Sequence, residues 1–472
     1  MGTRRSIRRL AFGAVAAAVV AMASGSGVGV RAAAPPRPAV VRSQVSNDRT
    51  VLAGEGYLMP DATRPGVETV IWLGTSNVFA DPTNILYGYC GVATTFDGGQ
   101  HWTGTQHLPL AEAIVAGHGV GFQTDLRTTP TCGDPVGGIG PDGTVYAGAA
   151  AIGSPSWEQS FTSHDQGFSW SQPTEMFGAS QEVRAATAPE NVGVAKTPAA
   201  GPGRAFMAVD PVTGAVSTQS QEDGGAEGRW LVVSHDQGKT WSTPHPLDPD
   251  VQGKSAGPHS GANGVIALAY TVDPMSPTYN VSPQPAVACD ASCIVFETTK
   301  DDGVHWERHV VPAAGNAAGK FTAADASEPG HFAVLLITNS GHTIEVWTTK
   351  DSGTTWTRHD VADAAAGDSF IKPGLGYAPT NGALGAVWRT VHADGSYDVS
   401  AVVSKDGGSK WSHAVALTDG PAPAPVPPGG SLPGDDCSCN IGITDATLSS
   451  VWGDARTGNR ELWFAAFDYT KL

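Results

Sequence analysis

The apolar residues of this chain fall in short runs separated by turn-forming residues. Typical runs are ETVIWLG, GTVYAGAA, RWLVVS, HFAVLLIT and ELWFAAF, each bounded by Gly, Pro, Asp, Asn or Ser. Such runs, rich in β-branched and aromatic residues, are typical of strands, whereas strongly periodic helical stretches are hard to find. The 59 glycines and 34 prolines supply the breaks between them. We therefore predict an all-β protein.

One eight-residue pattern, Ser/Thr-x-Asp-x-Gly-x-x-Trp, occurs six times, with its aspartates between 50 and 71 residues apart. Each copy lies between two strand-like runs, so it must reverse the chain. The carboxylate and the Ser/Thr hydroxyl can accept hydrogen bonds from turn amides, and the glycine can supply a positive φ. We predict a buried carboxylate and a Trp ring packed on a neighbouring sheet. The aspartates, interpreted as structural, are Asp97, Asp165, Asp236, Asp301, Asp351 and Asp406.

These six stretches resemble Asp-boxes, the bacterial neuraminidase repeats of sialidases and related β-propellers. The resemblance extends from about Asp97 to Trp411. It implies a propeller in which each box joins the third and fourth strands of a four-stranded blade. It does not imply sialidase activity, because such boxes also occur in propellers with other functions.

The segments before each box predict the number of blades. A recurring order of inner strand, tight turn, second strand, loop and third strand is clearest in CGDPVGGIGPDGTVYAGAA. A seventh unit without a box follows the last box, and the N-terminal AVVRSQVS could supply its outer strand and close the ring. We predict a seven-bladed β-propeller of four-stranded antiparallel blades, formed by residues 33–472 as one domain. A six-bladed propeller is the alternative.

Residues 1–32 have the features of an export signal. Four arginines precede an apolar run from Leu10 to Ala23, and small residues follow. The run is too short to span a bilayer, so we expect the mature protein outside the cell or in the cell envelope. Six cysteines suit that setting, and Cys289 with Cys293 is the first predicted disulfide, while the other pairings stay open.

The charge of the chain excludes one class of partner. Its formal net charge is -17, and no basic stripe for a phosphate backbone is present, so nucleic acid is not expected. No Gly-x-Ser-x-Gly elbow, His-Glu-x-x-His helix or phosphate loop occurs. We predict no cofactor or catalytic metal, leave a structural calcium ion open, and expect a monomer.

A ligand site is expected on the side of the propeller opposite the Asp-boxes, over the axis. The first residue of each inner strand and the loops between the second and third strands are expected on that side. The residues that start the inner strands would form a ring of polar side chains around the axis. These side chains could form ion pairs with one another, or they could form a sugar-sized mouth that binds a glycan or a protein of the envelope. Its predicted residues are Asp134, Asn191, His259, Asp325, Lys372 and Asn440, with Asp61 at the first blade.

The resemblance to sialidases also suggests a catalytic test. Members hold the substrate carboxylate with three arginines and use a tyrosine nucleophile, a glutamate and an aspartate acid/base. The first arginine position matches Leu58 in YLMP, which argues against catalysis, and Arg456 is expected to pair with Asp454. Non-catalytic binding at the mouth is one hypothesis, and an exo-sialidase or other glycoside hydrolase is the alternative. The catalytic candidates are Asp61, Asp134, Tyr377 and Arg389.

Overall fold

The structure is a computed structural model, and its described part consists almost entirely of strands. Within it, 28 strands form seven four-stranded antiparallel sheets, which confirms the seven-bladed prediction. No helix in this part of the chain is long and apolar enough to cross a membrane. The predicted export signal and Asn191 lie outside the described residues. Those residues are 38–47, 51–76, 88–110, 131–152, 157–177, 202–222, 229–247, 258–272, 289–315, 317–424 and 440–472.

The first strand along the chain, β1 (Val40–Gln44), belongs to the last blade, and the next twelve strands form blades 1 to 3. Their bounds, four strands to a blade from the inside outwards, are β2 Val51–Pro60, β3 Glu68–Ser76, β4 Gly88–Thr95, β5 Gln106–His107; β6 Thr131–Ile139, β7 Val145–Ile152, β8 Trp157–Ser163, β9 Thr174–Phe177; β10 Pro202–Val209, β11 Val216–Glu222, β12 Arg229–Ser234 and β13 His245–Pro246.

Blades 4 to 6 repeat this order, and blade 7 supplies only three strands from the C-terminal end of the chain. The bounds are β14 Ser260–Ala262, β15 Val265–Val272, β16 Cys293–Thr299, β17 Glu307–Val311; β18 Ala318–Ala324, β19 Phe332–Thr338, β20 Thr343–Thr349, β21 Thr357–Asp363; β22 Ser369–Tyr377, β23 Leu384–Val391, β24 Tyr397–Ser404, β25 Val415–Ala416; β26 Ile441–Ile443, β27 Thr447–Asp454 and β28 Glu461–Asp468.

The N-terminal strand closes the ring, as predicted. β1 pairs antiparallel with β28, from Val40 opposite Phe467 to Gln44 opposite Trp463. The inner strand of every blade contacts the inner strands of both neighbours, including β26 with β2. In a closed ring of blades the remaining strand edges are short and protected.

The strand order gives the propeller two distinct faces. The turn between the first and second strands of each blade and the Asp-box between the third and fourth lie at the same ends of the strands. We call this side the Asp-box face. The connections between second and third strands, and those between consecutive blades, lie on the other side, which we call the loop face. The loop-face end of the ring of inner strands is the axial mouth.

The Asp-boxes have the predicted turn geometry, with one correction. In the first box, the Thr95 hydroxyl accepts the Gly99 amide at 2.9 Å and donates to Asp97 Oδ1 at 3.0 Å. The backbone amide of His101 then donates to Asp97, followed by the His101 ring, and these bonds lower the pKa of Asp97 to about 2. The predicted burial of the carboxylate is wrong, because Asp97 is exposed and the Thr95 hydroxyl is the buried group.

The box tryptophans pack against the preceding blade, as predicted. Trp102 of the first box meets Phe464 of blade 7 edge-on, with ring centroids 5.1 Å apart. Trp356 of the fifth box meets Phe296 of blade 4 in the same way. Each such pair joins two blades through apolar area and an aromatic contact, so the boxes stabilise the ring.

Two disulfides occur in the described residues. Cys289–Cys293 confirms the pairing that the sequence favoured. Cys90–Cys132 was left open by the sequence, and it joins the third strand of blade 1 to the inner strand of blade 2. Both bonds suit an oxidising compartment.

Candidate functional site

The inner turns of the Asp-box face are bound to one another. The Arg64 guanidinium lies 3.5 Å from the Gly143 carbonyl of the next blade, and the Gly264 amide donates to Asp210 of the previous blade at 2.6 Å. Between blades 6 and 7, the Thr380 hydroxyl donates to Asp445 at 2.6 Å. These polar side chains of the inner turns therefore hold neighbouring blades together.

Two predicted site residues lie on this face, so their placement at the mouth is wrong. Asp61 directly follows β2, is fully buried, and forms an ion pair of 2.5 Å with Arg64. Asp325 directly follows β18 and accepts hydrogen bonds from the amide and hydroxyl of Ser327. Both carboxylates stabilise the turn between the first and second strands, because an Asp side chain readily accepts from amides two residues ahead.

The longest connections between strands begin and end at the loop face. On the Asp-box face, no connection between described strands exceeds ten residues. Long connections between secondary-structure elements commonly carry function, which favours the loop face as the ligand face. The longest connections join strand ends at the loop face and comprise residues 108–130, 178–201, 273–292 and 417–440.

Five inner strands carry a bulge at the same place, in the half of the strand nearer the loop face. The register shifts by one residue between Gly54 and Tyr57 in blade 1, between Gly133 and Val136 in blade 2, and between Ile371 and Gly374 in blade 6. Blades 3 and 5 have the same shift. A bulge of this kind bends the strand and redirects a side chain, and bulges often lie next to active sites.

The first residue of three of these bulges is charged and left-handed. φ is +52° at Glu55, +40° at Asp134 and +45° at Lys372, whereas blade 5 has a glycine, Gly319, at the equivalent position. A left-handed conformation costs a residue with a Cβ roughly 1–2 kcal/mol. All three charged side chains are half-buried. Strained charged residues at equivalent positions around one axis point to a binding function.

Two other predicted mouth residues are buried between blades. His259 is 4% exposed, and its Nε2 lies 2.8 Å from the Ser217 hydroxyl of blade 3. Burial lowers the pKa of His259 to about 4, so the ring is neutral at pH 7. Asn440 is 1% exposed and donates to the Lys372 carbonyl at 3.1 Å. Both side chains therefore join neighbouring blades and do not line the mouth.

The remaining catalytic candidates lie apart from one another. Tyr377 ends β22 at the Asp-box face, and burial, followed by the nearby Asp325 charge, raises its pKa. A phenol with a raised pKa is a poor nucleophile at neutral pH. Arg389 is fully buried on β23, opposite Ile371, in the half of the blade nearer the loop face.

Arg64 and Arg456 lie on different blades, and each forms ion pairs with carboxylates of the protein. Arg64 binds Asp61, and Arg456 binds Asp454 at 2.8 Å and also Asp419, which confirms the predicted Arg456–Asp454 pair. Leu58, at the position of the family's first arginine, is 3% exposed and packs in the apolar core between blades 1 and 7. That position therefore offers no guanidinium for a substrate carboxylate.

Glu55, which occupies the bulge of the first blade, is not among the residues predicted from the sequence. A usable signal exists: the bulge residue lies six positions before the first residue of the inner turn in Glu55–Asp61, Asp134–Gly140 and Lys372–Ala378. In each case glycine or proline follows the charged residue.

One known protein family matches the greater part of this chain. The family model of the BNR repeat-like domain matches residues 159–424, which is more than half of the chain. The chain belongs to the family of BNR repeat-like domains. In this BNR repeat-like domain the match includes five of the six Asp-boxes, from Asp165 to Asp406. No curated protein matches the sequence.

Several solved structures are similar to this BNR repeat-like domain. The Hadza microbial sialidase Hz136 is 18% identical, with a TM-score of 0.45, over 83% of this chain and 75% of its own. A protein of unknown function from Dyadobacter fermentans is 12% identical, with a TM-score of 0.45, over 91% and 99%. A variant NanB sialidase from Streptococcus pneumoniae is 10% identical, with a TM-score of 0.41, over 92% and 95%.

Proposed function

We propose that this BNR repeat-like propeller binds a glycan at the axial mouth of its loop face, outside the cell, and does not hydrolyse it. The observation that carries the proposal is the set of left-handed bulges at Glu55, Asp134 and Lys372. The fold does not need a charged residue there, since Gly319 occupies the same position in blade 5 without strain.

The chemistry of the bulge residues suits sugar hydroxyls. Blades 1 and 2 place carboxylates, Glu55 and Asp134, at the bulge, and blade 6 places the ammonium group of Lys372 there. Carboxylates accept hydrogen bonds from hydroxyl groups, and an ammonium group donates to them. A half-buried polar rim of both charges would orient a ligand rich in hydroxyls.

The setting of the protein supports an extracellular role. The Cys90–Cys132 and Cys289–Cys293 disulfides favour an oxidising compartment. The net charge of -17 favours solubility and disfavours nucleic acid as a ligand. Terminal sugars of surface or secreted glycans are the ligands that best fit this combination.

A glycan array tests the proposal. We expect binding to at least one class of glycan and at least tenfold weaker binding by an Asp134→Gly/Lys372→Gly double variant. The matched control is Ser352→Gly, which replaces a left-handed residue of an Asp-box (φ +56°) far from the mouth and should bind as the wild type does. The absence of any bound glycan would remove the proposal.

A glycoside hydrolase is the second candidate, and one observation favours it. Glu55 and Asp134 occupy equivalent positions on adjacent inner strands, and two carboxylates flanking a glycosidic bond are the usual catalytic pair. A panel of fluorogenic glycosides that includes a sialoside separates the two functions. Release of the fluorophore that is lost in both Glu55→Gln and Asp134→Asn would favour the hydrolase over the binding protein.

A further inference from the structure

A polar groove on the Asp-box face lies between the second and third boxes, Ser163–Trp170 and Ser234–Trp241. Its volume is about 640 Å³. The second box contributes Trp170, followed by Ser171 and Gln172, and the third contributes Gln237 and Lys239. Grooves of roughly 300–1,000 Å³ are typical of small-molecule sites.

The groove lies at the blade junction whose box glycine has the most room around it. A Cβ added at the box glycine Gly99 would lie 2.2 Å from the Phe464 ring, and one at Gly353 would lie 2.8 Å from Phe296. At Gly238 of the third box the nearest atom is the Thr162 methyl group, at 3.5 Å. Of the six box glycines Gly238 has the most room, because Thr162 and Ser160 approach it less closely than the nearest side chains approach the others; at Gly408 the Thr348 methyl group would lie at 2.8 Å.

The lining has the chemistry of a sugar site. The indole of Trp170 is half-buried, so part of its surface faces the groove, and it can pack on the apolar face of a sugar ring. The Gln237 amide donates to Asp142 at 2.9 Å, which fixes its orientation. Gln172 and Lys239 are exposed, and within the described residues their side chains make no hydrogen bond or ion pair.

The charge of the groove selects among sugars. Asp165 is already bound by the hydroxyl groups of Ser163 and Ser169, at 2.8 and 2.5 Å. The Lys239 ammonium has no such partner among the described residues, and it can receive a carboxylate as a point charge. A sugar carboxylate placed on Lys239 therefore gains an ion pair that a neutral sugar lacks, whereas one placed beside the ionised Asp165 would be repelled.

We infer that this groove is a second ligand site, which binds a short acidic oligosaccharide with one ring against Trp170 and a carboxylate on Lys239. The site is separate from the axial mouth and lies on the other face. A propeller with both sites could hold two glycan chains at once and gain avidity from the pair.

Isothermal titration with trigalacturonate and with maltotriose, its neutral counterpart, tests the inference. We expect measurable binding of trigalacturonate, at least tenfold weaker binding of maltotriose, and a loss of at least fivefold in Lys239→Ala. Thr162→Phe fills the groove with a ring, as Phe464 and Phe296 fill other junctions, and should abolish binding. Lys350→Ala, at an exposed lysine of another box, is the matched control and should leave affinity unchanged.

The outcomes separate this site from the mouth. Trigalacturonate binding that survives Asp134→Gly/Lys372→Gly but not Thr162→Phe supports the groove, whether or not the mouth binds a glycan. Binding that is lost in the mouth variant and kept in both groove variants would overturn the inference, as would the lack of binding to either sugar. Thermal unfolding of each variant shows whether a loss comes from misfolding.

Discussion

The side-chain amide of Asn440 donates a 3.1 Å hydrogen bond to the backbone carbonyl of Lys372, a left-handed bulge residue of the neighbouring blade. Asn440 is 1% exposed, so water cannot replace this bond. The contact ties blade 7 to the bulge of blade 6. It explains how a charged residue can be kept in an unfavourable conformation at the mouth.

The first prediction concerns this contact. Asn440→Ala should lower the free energy of unfolding by about 1–3 kcal/mol, because it removes the Asn440 donor from a part-buried contact between two blades. It should also weaken glycan binding at the mouth, since Lys372 loses its support. Urea denaturation and titration with the bound glycan measure the two effects.

Asn381→Ala is the matched control for Asn440. Asn381 also joins blades 6 and 7 through an amide-to-carbonyl bond, to Asp445 at 2.9 Å, but on the Asp-box face. It should lower stability without changing binding. Equal losses of affinity in both variants would mean that Asn440 has no particular role at the mouth.

The second prediction concerns the strain of the bulges. Lys372→Gly and Asp134→Gly should leave the free energy of unfolding within about 1 kcal/mol of the wild type, because relief of the left-handed strain offsets the greater entropy of the unfolded glycine. Ser352→Gly, in an Asp-box, should behave alike. Chemical denaturation checks this, and a loss of several kcal/mol in the bulge variants alone would make the bulges structural.

The third prediction separates the hydroxyl from the carboxylate in an Asp-box. The Thr349 hydroxyl is buried and accepts the Gly353 amide at 2.9 Å, whereas Asp351 is exposed. Thr349→Val should therefore cost about 1–3 kcal/mol, since it leaves the amide unpaired inside the protein. Asp351→Ala should cost less, because water can reach the amides that it frees. The reverse order in urea melts would contradict the assignment of the buried hydroxyl as the main anchor.

The fourth prediction concerns two buried groups whose pH effects oppose each other. Burial raises the pKa of Glu68 from 4.5 to about 7, with a smaller opposite effect of the Ser449 bond, and lowers the pKa of His259 from 6.5 to about 4. The stability that Glu68 contributes is lost as pH rises from 4.5 to 7. The stability that His259 contributes is lost as pH falls from 6.5 to 4.

Single variants should reveal each slope. Relative to the wild type, Glu68→Gln should gain about 3 kcal/mol between pH 4.5 and 7, and His259→Gln should gain about as much between pH 6.5 and 4. Urea denaturation at half-unit pH steps measures both differences. A difference between Glu68→Gln and wild type that does not vary with pH would show that Glu68 ionises normally in the folded protein.

Much of the fold could be predicted because its signals are local. Each Asp-box places its hydroxyl, carboxylate, glycine and indole within eight residues. Every copy can therefore be recognised from the sequence alone. The seventh blade and the closing strand Val40–Gln44 could be predicted by counting the repeated strand units along the chain. The Cys90–Cys132 pair did not, since it depends on how blade 1 sits against blade 2.

The site was harder to predict because a one-residue bulge has little local signature. The sequence predicts Asp61 and Asp325 at the mouth, whereas each begins an inner turn at the other end of its strand. Both aspartates precede alanine, and an Asp-Ala pair fits a turn and a strand start equally well, so the sequence could not separate the two. Asp134 and Lys372, which precede proline, lie in the half of the strand nearer the loop face, whereas Glu55, between two glycines, is not predicted from the sequence.

The most direct test of the mouth is the affinity of the glycan selected on the array, measured by calorimetry for the wild type, Asp134→Gly/Lys372→Gly and Asn381→Ala. The loop-face account predicts at least tenfold weaker binding by the bulge variant, with unfolding free energy retained, and unchanged binding by Asn381→Ala. Wild-type affinity in the bulge variant would contradict it and place the ligand elsewhere on the propeller.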